Sequence, residues 1–515
     1  MGDSNDLTAP DNQLAVTNSQ ITATLLAGTY ITENTLQDDG ELDGISCTGT
    51  YQDCNGNPHT VAGNPDTLLD CVDIKAVTTC PLPSSSITTT ERAALIEFIR
   101  GKKADGTPRQ HMGAILNAKP VIVNYGTEKR IFTATNEGFL HAINTEDGQE
   151  KWAFMPRALL KNIKTLYENQ PTDQPVYGID GSLTLWNYDA NSDGTIDASA
   201  GDKRILFFGL RRGGKAYYAL DITSADNPVL LWKKENIVDI EEGPLDTLGE
   251  TWSKPTLATM RIGSNTSNEV RTVVVFGAGY DAAKDVETVN ARTADKLGRD
   301  VFIVDALTGE IHWSLQRDLY QNSETSNPIK HSIPGDIRVM DMDRNGTLDR
   351  LYFADTGGNL WRVDMDADLR DADVSLYDYK DAKLTKIAEL GDNGDNGTDT
   401  RKFFYEPDVA LIGHNGQVHM TIALGSGYRT HPLNTNSNDR FYVIVDPNVY
   451  QEPPANFVAI KNSDLINARA TLGDTGGFAT THDNLLNGNH KGWYYDFDNT
   501  GEKVLAPAVT FLNKV

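Results

Sequence analysis

An all-β protein built as a β-propeller is predicted by three features of the chain. Short apolar strands recur in groups of four from about residue 111 onward, Asp, Asn and Gly mark the turns between them, and a tryptophan closes each of the first three groups. Four strands per repeat is the arithmetic of a propeller blade, and the pattern reads as six or seven blades of which about five are complete in this chain.

The first unit runs Pro120-Val-Ile-Val123, Ile131-Phe-Thr-Ala134, Gly138-Phe-Leu-His-Ala-Ile143 and Trp152. The second has Leu183-Thr-Leu-Trp186, Ile205-Leu-Phe-Phe-Gly-Leu210, Ala216-Tyr-Tyr-Ala-Leu-Asp221 and Trp232. A third follows with Pro255-Thr-Leu-Ala258, the run 272–280, Val301-Phe-Ile-Val-Asp305 and Trp313. The fourth holds Ile337-Arg-Val-Met340, Leu351-Tyr-Phe-Ala354 and Leu360-Trp-Arg-Val-Asp364, and the fifth has the runs 408–412, 419–428 and 441–446. After Gly492-Trp-Tyr-Tyr-Asp-Phe497, the run 505–511 reads as the opening strand of a further blade. A ring cannot close on one strand, so residues beyond Val515, or another segment, are expected to complete the seam.

Three regions are expected. Residues 1–86 are loop-rich and carry all four cysteines, Cys47, Cys54, Cys71 and Cys80; 87–110 form a short helix and linker; 111–515 form the propeller, its last blade incomplete. The helix is signalled by capping-box spacing of Thr88 and Glu91, an apolar face of Ala94, Leu95, Phe98 and Ile99, and a stop at Gly101. Cysteines confined to a segment with little core are the kind that disulfides staple in exported proteins, with three possible connectivities. No Cys-x-x-Cys pair favours a zinc knuckle.

The chain of 515 residues has 72 Asp and Glu against 46 Lys and Arg, a formal charge of −26. Such a surface repels phosphates, so nucleic acid is not an expected partner. No apolar run approaches the ~20 residues of a transmembrane helix, and Met1-Gly2-Asp3 opens no signal peptide. With the cysteines, this reads as an exported chain separated from its leader.

The strongest chemical signal is Asp341-Met-Asp343-Arg-Asn345-Gly346-Thr347-Leu348-Asp349. Oxygen-bearing side chains stand at positions 1, 3, 5 and 9 around a glycine at 6, and position 7 offers its carbonyl. Hard cations such as Ca²⁺ are held by that spacing. It recurs as Asp189-Ala-Asn191-Ser-Asp193-Gly194-Thr195-Ile196-Asp197. Position 12 is Tyr352 or Ala200 rather than Glu, so neither copy is an EF-hand, and flanking strands make each a metal-clipped hairpin turn. One or two Ca²⁺ ions are therefore expected. The alternative is an ordinary Asp/Asn/Gly turn, but the corresponding turn of the third unit, 260–268, contains no acid, so the acidic pattern is not a requirement of that turn.

Asp305-Ala-Leu-Thr308-Gly309-Glu-Ile-His-Trp313, with a looser copy at 144–152, is similar to the tryptophan-docking repeat of quinoprotein-type propellers. A PQQ-dependent dehydrogenase is thus one alternative reading, although the adjacent Cys-Cys pair typical of those enzymes is missing. A carbohydrate-binding surface propeller is another. No catalytic motif stands out: there is no His-Glu-x-x-His, Gly-x-Ser-x-Gly or phosphate loop, and His141 and His312 read as packing residues. Arg211-Arg212-Gly-Gly-Lys215 is a local basic patch read as a solvated loop, or as a docking site for a partner.

The segments 138–144, 209–221, 251–255, 341–362 and 425–429 together resemble the C-terminal propeller of the PilY1/PilC family of type IV pilus biogenesis and tip-adhesin proteins, over roughly residues 90–515. The resemblance implies a non-enzymatic protein exported through the periplasm to the pilus tip, cell surface or outer membrane. It would work there with minor pilins and the pilus machinery in assembly, twitching motility and adhesion to a host or abiotic surface. It also implies that a Ca²⁺ loop matching Asp341, Asp343, Asn345, Thr347 and Asp349 tunes retraction; the 189 loop is not implied for every member. The chain departs from that family's fuller pattern in having no large N-terminal von Willebrand-like segment, and no Arg-Gly-Asp tripeptide.

Overall fold

In the computed structural model, residues 89–103, 105–109, 112–171, 175–236, 247–262, 269–285, 293–320, 326–365, 382–391, 401–414, 416–469 and 491–511 are described, with the backbone of a two-stranded ribbon, Thr48–Gln52 against Pro58–Ala62. The four cysteines expected to form disulfides lie outside the described residues.

Five antiparallel meanders follow one another, each a blade whose consecutive strands are hydrogen-bonded neighbours. The first is Val121–Asn124, Lys129–Ala134, Leu140–Asn144 and Glu150–Phe154. Thr184–Tyr188, Lys203–Gly209, Ala216–Asp221 and Val229–Glu235 make the second. Thr256–Ile262, Glu269–Gly277, Val301–Asp305 and Ile311–Ser314 make the third. The fourth is Arg338–Met340, Arg350–Ala354, Asn359–Asp364 and Lys383–Glu389. Asp408–His414, Gln417–Gly425, Arg440–Asp446 and Gly492–Asp496 complete the fifth. Two-residue strands, Ile460–Lys461 and Ile466–Asn467, add in parallel to the outer edges of the fourth and fifth blades.

Strands with a side-chain period of two bury both faces in the second, third and fourth blades, because each of these is sandwiched between two neighbours. In Arg350–Ala354, Leu351 and Phe353 enter the core shared with Val273, Val275 and Ile303 of the third blade, whereas Tyr352 and Ala354 enter that shared with Met420, Ile422 and Tyr442 of the fifth. Phe132 and Phe154 meet Leu206 and Phe208 between the first two blades, and Phe207, Tyr217 and Trp232 meet Phe276 and Phe302 between the second and third. Among the described residues no such core joins the fifth blade to the first; a hydrogen bond from Arg429 Nη2 to Asn117 Oδ1 (3.1 Å) spans them.

The tryptophans lock successive blades. Trp152 Nε1 donates to Ala225 O (2.8 Å) in the turn between the third and fourth strands of the second blade, and Trp232 Nε1 to Ala306 O (3.1 Å) in the equivalent turn of the third. Gly309 follows that turn at φ +75°, and a Cβ there would lie 2.7 Å from Trp232 Cγ. Gly309→Ala therefore combines a left-handed backbone penalty with a clash against a packed indole, and is expected to lower unfolding stability by roughly 2 kcal/mol. Thermal denaturation checks this; an unchanged midpoint would remove the docking role.

Several elements differ from expectation. The helix is Thr89–Ile99, and its most buried residues are Leu95, Ile96 and Ile99, packed on Met155, Leu160 and Ile163. Ile163–Glu168 and Leu315–Tyr320 are helical. The run 505–511 is extended without strand pairing beyond a single bridge residue at Phe511; it lies against the fifth blade through Val504 N to Ser426 O (3.0 Å) and a bond from Thr510 N to the Asp408 carboxylate.

Candidate metal centre

Both acidic runs form the hairpin turn between the first and second strands of a blade, 341–349 in the fourth and 189–197 in the second. Their backbones match: position 4 is left-handed in each (Arg344 φ +66°, Ser192 φ +58°), as is the glycine at 6 (Gly346 +88°, Gly194 +83°). In each, the first aspartate accepts from that glycine's amide, at 2.9 Å for Asp341 Oδ2 and 2.7 Å for Asp189 Oδ2.

In the 341 loop, Asp341 Oδ1 accepts from Arg344 N (2.7 Å) and Asp343 Oδ1 from Asn345 N (2.9 Å). Asn345 Oδ1 accepts from Thr347 N (2.8 Å). Asp349 is 5% exposed, and its Oδ2 accepts from Met342 N (2.5 Å) and Asp343 N (3.3 Å). Asp341, Asp343 and Asp349 form a group whose ligand oxygens all lie within 4.8 Å of one another. Burial, together with the neighbouring Asp343 and Asp341 carboxylates, pushes the Asp349 carboxyl up to about 6.

The 189 loop satisfies itself differently. The Thr195 hydroxyl and amide, then the Asn191 side chain, hydrogen-bond Asp193 and hold its carboxyl below the usual range; the Ser199 hydroxyl and amide do the same for Asp197. Asp197 accepts from Ser199 N (2.9 Å), capping the short turn Ala198–Ala200. The place held by Asp349 in the other loop, accepting from the amide of position 2, belongs here to Asp202. Its Oδ1 accepts from Ala190 N and its Oδ2 from Asp197 N, both at 2.8 Å, and it is 2% exposed. Spacing alone missed it, because the intervening turn delays the inner acid by five residues; an Asp directly before the strand Lys203–Gly209 was the available signal.

A second cluster lies where blades two, three and five converge. Trp252, Tyr280, Phe404 and Tyr428 pack together, with the Arg211 guanidinium 4.1 Å from the Trp252 ring centre. Arg211 pairs with Asp180 (3.1 Å) and Arg212 with Asp285 (2.9 Å). The basic run at 211–212 is therefore a tie between blades, not the solvated loop read from sequence. Trp252 Nε1 donates to Glu250 Oε2 (3.0 Å), while burial pushes that carboxyl up to about 7. His141 joins Glu150 Oε2 through Nδ1 (2.5 Å) and Thr135 Oγ1 through Nε2 (3.3 Å), a triad-like geometry whose hydroxyl is wholly buried. His312 Nε2 lies 3.3 Å from Asp305 Oδ2.

A family model described as the PilY1 beta-propeller domain matches residues 120–383. A type IV pilus biogenesis factor PilY1 homolog of Xylella fastidiosa is 28% identical over 270 residues, which is 51% of this chain and 16% of that protein. Type IV pilus biogenesis factor PilY1 of Pseudomonas aeruginosa is 27% identical over 316 residues, 55% of this chain and 24% of that one. The chain thus spans a quarter or less of the length of these relatives. The crystal structure of the Pseudomonas aeruginosa PilY1 C-terminal domain shares the fold at a TM-score of 0.50 and 20% identity, covering 78% of this chain and 79% of that one. With the five blades and their tryptophan locks, these likenesses establish that the chain belongs to the PilY1 beta-propeller domain family.

Proposed function

We propose that this chain is a non-enzymatic, calcium-binding propeller module of a type IV pilus biogenesis protein, and that cation occupancy of the 341 loop regulates pilus assembly and retraction, and with them twitching motility and surface adhesion. The relatives' names supply the pilus setting; minor pilins as partners and the cell surface or pilus tip as location are part of the proposal. One observation carries the calcium reading: three carboxylates converge within 4.8 Å, the innermost buried and resisting ionisation. An all-oxygen donor set of Asp341, Asp343, Asp349 and the Asn345 side chain, with the Thr347 carbonyl, suits a hard cation. When bound, the cation would neutralise charges that otherwise repel one another. The 189 loop is the second, weaker site, since its acids are occupied by their own hydroxyls and amides. Paired side chains around Trp252 support a structural rather than catalytic assignment for that cluster.

Calorimetric titration with calcium tests this. The wild-type chain is expected to bind at the 341 loop, and Asp341→Ala with Asp343→Ala to lose that event; unchanged stoichiometry would defeat the ligand assignment. Carried into a strain that lacks the parent protein, the same pair should impair twitching, and wild-type motility would sever the site from the pilus.

A further inference from the structure

Segment 446–453 of the fifth blade, which leaves the strand Arg440–Asp446, gives up its carbonyls to cations of the fourth blade. Arg362 Nη1 donates to Asn448 O (2.7 Å) and Nη2 to Gln451 O (2.8 Å). Arg350 Nη1 donates to Val449 O (2.8 Å), and Lys383 Nζ to Pro453 O (2.6 Å). Backbone acceptors are ordinarily met by backbone donors; here a turn of one blade is shaped by side chains of another.

Arg350 is the residue after Asp349, and the backbone there is pinned on both sides by Asp349 N to Met340 O (2.9 Å) and Met365 N to Asp349 O (2.8 Å). Consecutive residues point to opposite faces, so Asp349 turns into the acidic loop while Arg350 turns into the interface between blades. Met342 makes a second connection. Its amide donates to Asp349 Oδ2, whereas its thioether lies 3.9 Å from Arg350 Nη1, beside the core that blades four and five share.

We propose that the 341–349 loop controls the 446–453 segment: with the Asp349 carboxylate neutralised, Met342 and Arg350 are held in one arrangement, and Arg350 fastens Val449 and its neighbours to the fourth blade. This rests on the calcium reading above and names the surface that responds to it. Tyr450, 45% exposed, stands at the centre of the fastened segment and is presented outward by it. Without the cation the mutual repulsion of Asp341, Asp343 and Asp349 loosens Met342, and the segment opens more often. Coupling between two sites by a shared packed element typically amounts to a several-fold to hundredfold change, so opening of 446–453 should become about tenfold rarer with calcium.

Amide hydrogen exchange of the whole chain, in calcium or in chelator with magnesium as a control, tests the link. Calcium is expected to slow exchange in both 341–349 and 446–453. In Arg350→Lys, which cannot reach Asp364 and Val449 O together, slowing should persist at 341–349 and vanish at 446–453. Should that variant not fold, Met342→Ala removes the other connection alone and should reduce the effect at 446–453. Protection confined to 341–349 in the wild-type chain overturns the coupling but leaves the calcium site standing, as does equal protection of 446–453 in wild type and variant. No protection at either segment, with no heat of binding, overturns both.

Discussion

Arg362→Leu is expected to cost the fold ~3–5 kcal/mol, the range typical of removing one partner from a buried ion cluster. Arg362, Asp364 and Asp446 are all essentially inaccessible to water, and Arg362 Nη2 reaches Asp364 Oδ1 at 2.7 Å while Nη1 reaches Asp446 Oδ2 at 2.9 Å. Removing the guanidinium leaves Asp446 with the Tyr352 hydroxyl (2.8 Å) and its local turn, and Asp364 with Arg350 Nε (2.8 Å). Two buried charges then share one cation, and the carbonyls of Asn448 and Gln451 lose their donors. Asn448 is half-buried and Gln451 exposed, so water can replace those donors and the buried carboxylates carry most of the loss. Arg362→Lys should recover less than half of the loss, since an ammonium cannot serve two carboxylates and two carbonyls in a planar fork. Chemical denaturation measures both variants; a loss below about 1 kcal/mol for Arg362→Leu would show that the cluster relaxes or admits water, and that the fifth blade does not depend on it.

That cluster is also where sequence reading reached its limit. The repeat of four strands was legible because alternation, Asp/Gly turns and tryptophans are local signals. So was the 341 turn, whose three clustered acids fall within nine residues and whose glycine at position 6 takes the left-handed conformation. Arg350 and Arg362 sit 12 positions apart and share Asp364, while Arg362 alone meets Asp446 from a different blade; nothing near them in the chain says that their charges are buried rather than solvated. The strand Lys383–Glu389 escaped notice because two lysines and a threonine interrupt its apolar run, and its two core residues, Ile387 and Ala388, come at its end. Asp202 was missed for a different reason. The spacing rule assumes that a chain returns to the ion at position 9, whereas the short turn Ala198–Ala200 diverts it and hands the inner position to a later acid. Arg211 and Arg212 read as a solvated patch because their partners, Asp180, Trp252 and Asp285, come from other segments.

Stability of this chain should fall as pH rises from about 4 to about 7, and Asp300→Asn should remove part of that slope. Asp300, which precedes the strand Val301–Asp305, has no exposure to water; its Oδ1 accepts from Val301 N (2.8 Å) and Gln316 N (3.0 Å). Burial outweighs these bonds and pushes the carboxyl up to about 7. An acid whose folded value lies above its unfolded one binds more protons in the folded state across the interval between them. Raising pH through that interval therefore favours unfolding, and the full penalty stands above pH 7. Every tenfold gain in proton affinity on folding is worth ~1.4 kcal/mol, and halving the total for water penetration and relaxation leaves roughly 2 kcal/mol at pH 8. Asparagine keeps an oxygen for both amides but carries no charge, so Asp300→Asn should match the parent at pH 4 and exceed it at pH 8. The comparison belongs in chelator, so that the acidic loops do not add a calcium-dependent slope of their own. Parallel stability curves for parent and variant would mean that the carboxylate is tolerated charged, through water or a movement of Gln316, and that the interior of the third blade is less dry than its packing indicates.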